Sequence, residues 1–265
     1  MRIVIIVGLW LFYVQAFAAR VDTVMVRSDV MDKNVKVVVV TPEKAGRFPV
    51  VYLLHGYGGN ACTWISMAPE LIELSERDSM IFVCPDGDDS WYIDSPLKSE
   101  VCYETFMVEE LVTYIDSIYP TVADRRARAI TGLSMGGYGA MFLSMRHTEL
   151  YGAAGSTSGG LDIRPFPRNW GLQRLLGDIA VHKKVWDDYT PLNLIDRLEN
   201  RRLALIVDCG YDDFFFNVNN KFHEKLLENK IEHDYYVRPG SHNSIYWRNS
   251  IFYHMLFFKS YFNRK

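Results

Sequence analysis

Short apolar runs alternating with helical patterns constrain this chain more than any other feature. Val50–Leu54, Met80–Cys84 and Leu203–Val207 are unbroken apolar stretches. A strand with one wet face alternates polar and apolar residues, whereas a strand covered on both faces does not. Asp22–Arg27, Val35–Val40, Arg128–Thr131, Ala153–Ser156 and Asp234–Val237 complete a series of eight strand-like runs. Helical patterns lie between them. Tyr103 to Tyr119 carries a stripe at Phe106, Met107, Leu111, Tyr114, Ile115 and Ile118, with Glu109 and Glu110 toward solvent and Pro120 as the stop. Tyr138–His147, Phe215–Lys230 and Ile245–Phe262 read as further helices. Strands alternating with helices imply an α/β protein with a mostly parallel eight-stranded sheet and helices on both faces. A chain of 265 residues, 49% hydrophobic and 23% charged, is long enough for one such domain. We assign it residues 19–265, a size that needs no metal or disulfide to hold its core.

Residues that could carry chemistry fall at the ends of these strands. Gly132-Leu-Ser134-Met-Gly136-Gly137 joins Arg128–Thr131 to the helix that follows. A serine at so sharp a corner has an exposed hydroxyl, and glycine is needed where a Cβ would clash. His55-Gly-Tyr57-Gly-Gly59 directly follows Val50–Leu54. Its small residues let backbone N–H groups face a carbonyl oxygen, and the amides of Tyr57 and Met135 are the expected oxyanion donors. Leu203–Val207 leads into Asp208-Cys-Gly-Tyr-Asp212-Asp213-Phe214, and Asp234–Val237 into Arg238-Pro-Gly-Ser-His242-Asn243. A serine hydroxyl is a weak nucleophile near neutral pH. A histidine must take its proton, and an acid must hold the imidazole. Ser134, His242 and either Asp212 or Asp213 fit these roles, the other aspartate being left to cap the next helix.

Neighbouring residues have plainer readings. His223 and His254 fall on predicted helices, where packing or solvent explains them, and His147 is a charge partner in the last turn of the elbow helix. His55 stands at the base of the glycine turn, in an orienting place beside the site. Trp91 and Tyr92, in Asp86-Gly-Asp-Asp-Ser-Trp-Tyr92, are candidates with His55 to contact substrate, a structural role being the alternative. Trp247 reads as core. Gly159–Asn200, with Pro165, Pro167, Trp170 and Pro191, is irregular and long for a connection. It is expected to be a short lid between the sixth and seventh strands. Asp162, Arg164, Arg168, Arg174, Asp178, Lys183 and Lys184 make it too polar for a broad apolar surface.

The N-terminus reads as an export signal over residues 1–18. Arg2 precedes an apolar stretch from Ile3 to Val14, and Ala16-Phe17-Ala18 satisfies the small-x-small cleavage rule. The chain is therefore expected to begin at Ala19 after cleavage, in a periplasm or the medium, with no stable membrane insertion. Cys62, Cys84, Cys102 and Cys209 would then meet an oxidising compartment, where paired and free thiols are both open. Their spacing is no metal pattern, and neither a metal nor another cofactor is expected. A formal net charge of -3 without a Lys/Arg block gives no nucleic-acid surface.

With these residues in place the chain resembles the esterase D-like family of α/β-hydrolases. That family includes secreted feruloyl and acetyl esterases, tributyrin esterases and S-formylglutathione hydrolases. The resemblance runs from about Arg47 to Trp247 and rests on five segments. They are Leu53-Leu-His-Gly56, Pro85-Asp-Gly87, Ser90-Trp-Tyr92, Gly132-Leu-Ser-Met-Gly-Gly-Tyr138 and Pro239-Gly-Ser-His242. The family's Cys-Gly-x-x-Asp-Phe pattern matches Cys209, Gly210, Asp213 and Phe214, which favours Asp213 as the acid. The implied strand order, 1-2-4-3-5-6-7-8, separates Cys84 from Cys209 by roughly 19 Å, too far for a disulfide. The implied activity is that of a secreted serine carboxylesterase acting through an acyl-enzyme. Its partner would be a small-molecule or polysaccharide ester with a short or aromatic acyl group, such as feruloyl or acetyl groups on cell-wall polysaccharide. An acyltransferase using the same residues and a non-catalytic binding module of this fold are the alternatives. The oligomeric state is not legible.

Overall fold

The computed structural model describes residues 19–264, so the export segment read at residues 1–18 lies outside the described residues. The strands are β1 (Arg20–Ser28), β2 (Lys33–Thr41), β3 (Val50–Leu54), β4 (Ile81–Pro85), β5 (Arg128–Gly132), β6 (Ala153–Thr157), β7 (Ala204–Gly210) and β8 (Asp234–Arg238). They form one sheet in the order β1-β2-β4-β3-β5-β6-β7-β8. β1 with β2 and β2 with β4 are antiparallel, and every pair from β4 to β8 is parallel.

The apolar runs hide a period of two. Val50, Tyr52 and Leu54 of β3 point into one core with Ile81, Val83, Ile130 and Val207, under the helical segment 103–118 and the helix Met135–Arg146. Val51 and Leu53 point into the other with Phe82, Ala129 and Ile206, under the helices Thr63–Met67, Glu70–Asp78 and Ser244–Phe262. Both faces are thus covered and the sequence shows no alternation. Edge strands β1 and β8 keep exposed residues.

Three expectations need correction. The stripe along 103–118 is interrupted by a π turn over Phe106–Leu111. Such a turn holds an extra residue and shifts the face on which later side chains lie. Glu110 is accordingly no solvent residue: its Oε1 accepts the N–H groups of Asp29 and Val30 at 2.8 and 3.1 Å. Nor is Gly159–Asn200 an unstructured lid. It holds the short helices Leu172–Leu176, Lys183–Asp188 and Pro191–Leu194. Its Leu161, Ile163, Leu172, Leu175, Leu176 and Trp186 are buried in the same core as the sheet. Its charges pair among themselves, Arg164 with Asp162 at 2.8 Å and with Asp187 at 3.0 Å. All four cysteines are free, and Cys84 and Cys209 are buried. No described helix is long and apolar enough to cross a membrane.

Candidate active site

The corner between β5 and the helix Met135–Arg146 is as tight as the glycines suggest. A Cβ on Gly132 would lie 2.4 Å from the Gly136 backbone, and one on Gly136 would lie 2.3 Å from Leu54 O. Ser134 has φ 53° and ψ -117°, a conformation that costs a non-glycine residue about 1–3 kcal/mol. Its N–H is held by Thr157 O at 3.0 Å.

The acid and histidine loops reach the same place because they are laced together. Tyr211 N–H donates to Arg238 O at 3.1 Å and Asp212 N–H to Gly240 O at 3.0 Å. A side chain on Gly210 could not fit, since its Cβ would stand 2.2 Å from Gly240 O. Asn243 then caps the helix Ser244–Phe262, accepting from Tyr246 N–H at 3.0 Å and ending the histidine loop.

His242 sits between the two candidate partners. Its Nε2 is 2.9 Å from Ser134 Oγ, and its Nδ1 is 3.0 and 2.9 Å from Asp213 Oδ1 and Oδ2. Asp213 is buried, and its Oδ1 also accepts Phe215 N–H at 2.8 Å. Asp212 is exposed. With Nδ1–H donating to the carboxylate, Nε2 is left as the acceptor for the serine O–H. The arrangement can therefore draw the proton from Ser134 as its oxygen attacks. The N–H groups of Tyr57 and Met135 donate to no acceptor among the described residues, while their neighbours do: Gly58 to Asp89 Oδ1 at 2.7 Å and Gly59 to Gly56 O at 3.0 Å. Met135 is also the first residue of its helix, where unpaired N–H groups attract negative charge.

His55, Trp91 and Tyr92 are brought near the site but not into it. His55 is buried, with Nδ1 2.8 Å from Gly56 O and Nε2 accepting Gly87 N–H at 2.7 Å. It is buried behind the glycine loop and does not line the cleft. Tyr92 and Trp91 are also buried. Tyr92 fills space that glycines leave, its ring 2.3 and 2.5 Å from where a Cβ on Gly87 or Gly139 would stand. Its hydroxyl donates to His55 O at 3.1 Å. Trp91 Nε1 donates to Trp170 O at 3.0 Å.

The aromatic walls come from elsewhere. Tyr57, Trp170, Phe214 and Trp247 line an open cleft of about 390 Å³ around Ser134 and His242. The Phe214 ring lies over the His242 imidazole at 4.1 Å, and Trp247 meets it edge-on at 4.9 Å. Trp170 stacks on Phe214 at 5.5 Å. Trp247, expected in the core, packs partly buried against it and also lines the cleft. Phe214 could have been found from its place next to the acid, and Trp170 only from its place in the insertion. Three other histidines pack as read: His147 Nε2 bonds Glu104 Oε1 at 2.8 Å, His223 pairs with His233 at 2.7 Å, and His254 is fully buried. Among the described residues no group of three or more His, Cys, Asp or Glu side chains is placed to hold a metal ion.

Residues 28–258 match the sequence model of the Esterase family. The chain is 28% identical over 215 residues to an acetyl esterase of Caldicellulosiruptor saccharolyticus, covering 76% of this chain and 79% of that one. The solved structure of a ferulic acid esterase superposes with a TM-score of 0.78 at 26% identity, over 93% of this chain and 100% of that one. A fluorophosphonate-binding serine hydrolase of Staphylococcus aureus has the same fold, with a TM-score of 0.81 at 18% identity over 91% of this chain and 98% of that one.

Proposed function

The chain belongs to the Esterase family and has the α/β-hydrolase fold, and from that premise we propose that it is an exported serine carboxylesterase working through an acyl-enzyme. The observation that carries this reading is the unbroken line Asp213–His242–Ser134, with contacts of 2.9 Å on both sides of the imidazole. His242 Nε2 takes the Ser134 proton as Oγ attacks the ester carbonyl. The negative charge that develops on the carbonyl oxygen is met by the N–H groups of Tyr57 and Met135. Each such donor typically lowers the barrier by about 3–4 kcal/mol. The tetrahedral species collapses with loss of the alcohol, which takes its proton from His242. Water then repeats the sequence on the acyl-serine, giving its proton to His242 and releasing the acid. Asp213 keeps the Nδ1–H tautomer and stabilises the imidazolium throughout.

The cleft supports a compact or planar acyl group on a bulky alcohol. Tyr57, Trp170, Phe214 and Trp247 offer flat faces that suit a hydroxycinnamoyl ring or a sugar face. The similarity to an acetyl esterase and to a ferulic acid esterase points the same way. We therefore place the substrate among acetyl or feruloyl esters of cell-wall polysaccharide. Residues 1–18 serve as a cleaved export signal, and residues 19–265 form one domain. N-terminal sequencing of exported protein should begin at Ala19; an uncleaved Met1 in that fraction would refute cleavage, and absence of the protein from that fraction would refute export. Activity is tested by assaying residues 19–265 on acetyl and feruloyl esters beside Ser134→Ala. Turnover should fall by several orders of magnitude in the variant. A folded Ser134→Ala protein with near-normal turnover would end the hydrolase reading.

A further inference from the structure

Beneath the cleft a second line of polar side chains crosses the sheet. Thr131 on β5, Asp208 on β7 and His254 on the helix Ser244–Phe262 are fully buried, and Arg238 on β8 is mostly so. His254 Nδ1 lies 2.7 Å from Thr131 Oγ1, and its Nε2 lies 3.8 Å from Asp208 Oδ2. Arg238 Nη2 donates to that same carboxylate oxygen at 2.7 Å. The imidazole rests on Gly155 of β6, where a Cβ would stand 2.6 Å from both His254 Nδ1 and Thr131 Oγ1. The line therefore meets each of the consecutive strands β5, β6, β7 and β8 once.

Three of those strands deliver the reactive groups. Ser134 follows Thr131, Asp213 follows Asp208 and His242 follows Arg238, each within one short loop. Stability alone does not explain the line. Asp208 Oδ1, His254 Nε2 and Arg238 Nε are buried without a hydrogen-bond partner, and such atoms carry an uncompensated desolvation cost. A buried ion pair often stabilises no better than apolar side chains of the same volume. The two directed contacts, Thr131 to His254 and Arg238 to Asp208, add a fixed spacing on either side of the 3.8 Å step from His254 to Asp208, whereas apolar contacts tolerate sliding.

We propose that Thr131, His254, Asp208 and Arg238 are positioning residues, a brace that sets the strand offsets on which the Ser134–His242–Asp213 contacts depend. The inference rests on the esterase reading of those contacts. None of the four lines the cleft, so their loss should slow chemistry and leave substrate binding alone.

The test uses Thr131→Val, which keeps the shape and deletes the hydroxyl, Thr131→Ser, which keeps the hydroxyl, and Asp208→Asn. Steady-state kinetics on p-nitrophenyl acetate and the rate of fluorophosphonate labelling of Ser134 are measured on folded protein, with melting curves alongside. Thr131→Val and Asp208→Asn should lower kcat and labelling rate at least about tenfold with KM within about twofold. Thr131→Ser should stay within about threefold of wild type. Wild-type kcat in a folded Thr131→Val variant, even one that melts earlier, would overturn the brace, and so would equal losses in the valine and serine variants. Should Asp208→Asn not fold, the two Thr131 variants decide. Labelling reads Ser134 activation without an ester. Normal labelling with no turnover of any ester would therefore refute the esterase reading, leaving the brace to be judged on labelling rates.

Discussion

Ser134 shows how a single backbone angle separates activity from stability. At φ 53° a Cβ is strained whatever the side chain does, and only glycine escapes. Ser134→Ala and Ser134→Gly both lose the contact to His242, so comparing them isolates the strain. Relief of about 1–3 kcal/mol outweighs the extra chain entropy of glycine, about 0.4–1 kcal/mol. We expect Ser134→Gly to melt about 2–4 °C above Ser134→Ala, both being inactive. Differential scanning calorimetry gives the answer, and a lower melting point for the glycine variant would deny the strain. The acid is tested in the same way. Asp213→Asn should lower kcat by about 10³–10⁴, because the amide favours the wrong imidazole tautomer. The exposed Asp212→Asn should stay within about twofold of wild type, and a reversal of the two would place the acid one residue earlier. Ser134, His242 and an aspartate at 212 or 213 are legible because each follows a strand in the order the chemistry needs, and only the family resemblance favours Asp213. Trp91 and Tyr92, for which a structural role was the alternative, take that role: Asp86-Gly-Asp-Asp-Ser90 announces the turn they end, with φ angles of 56° and 57°, but not which way their side chains pack.

Among elements, the helical segment 103–118 and the helix Met135–Arg146 are tied at their ends by Glu104. Its Oε1 accepts from Arg146 Nε at 2.7 Å and bonds His147 Nε2 at 2.8 Å. The bond to Glu104 raises the His147 pKa above its ordinary 6.5, against the opposing pull of burial. Burial pushes Glu104 upward, but His147 and Arg146 outweigh it and hold the carboxyl below its ordinary 4.5. The His147 contribution is thus fully present below 6.5 and lost as pH rises through its raised folded value. The Glu104 contribution is present above 4.5 and lost as pH falls through its lowered one. The melting-point deficit of His147→Gln should be larger at about pH 5.5 than at about pH 9. Equal deficits would show that the tie carries no charge. The 103–118 stripe revealed a helix but not its π turn, since Phe106, Met107 and Leu111 stay buried across the extra residue. The insertion looked irregular because its helices, of five, six and four residues, are too short to display a period.

For the molecule as a whole, the strand order was legible from the alternation of runs together with the family resemblance. The cleft's character was not, because its aromatic walls come from four distant segments. An open cleft with aromatic sides holds a compact acyl group better than a long flexible one. Specificity constants for acetyl or hydroxycinnamoyl esters should exceed those for C12 and longer chains by at least about tenfold, or ~1.4 kcal/mol of transition-state preference. A p-nitrophenyl ester series supplies the measurement, and activity rising steadily from C2 to C16 would mark a lipase. The insertion also bears on how such a preference can change over time. Leu172, Leu175, Leu176 and Trp186 share one core with β3 and β5, so the segment is no detachable cassette. Replacing it with a foreign loop would open the main core and put the whole fold at risk. Lineages that alter their diet of esters, and engineers who wish to follow them, are left with point changes at the rim, Trp170 and Phe214 foremost.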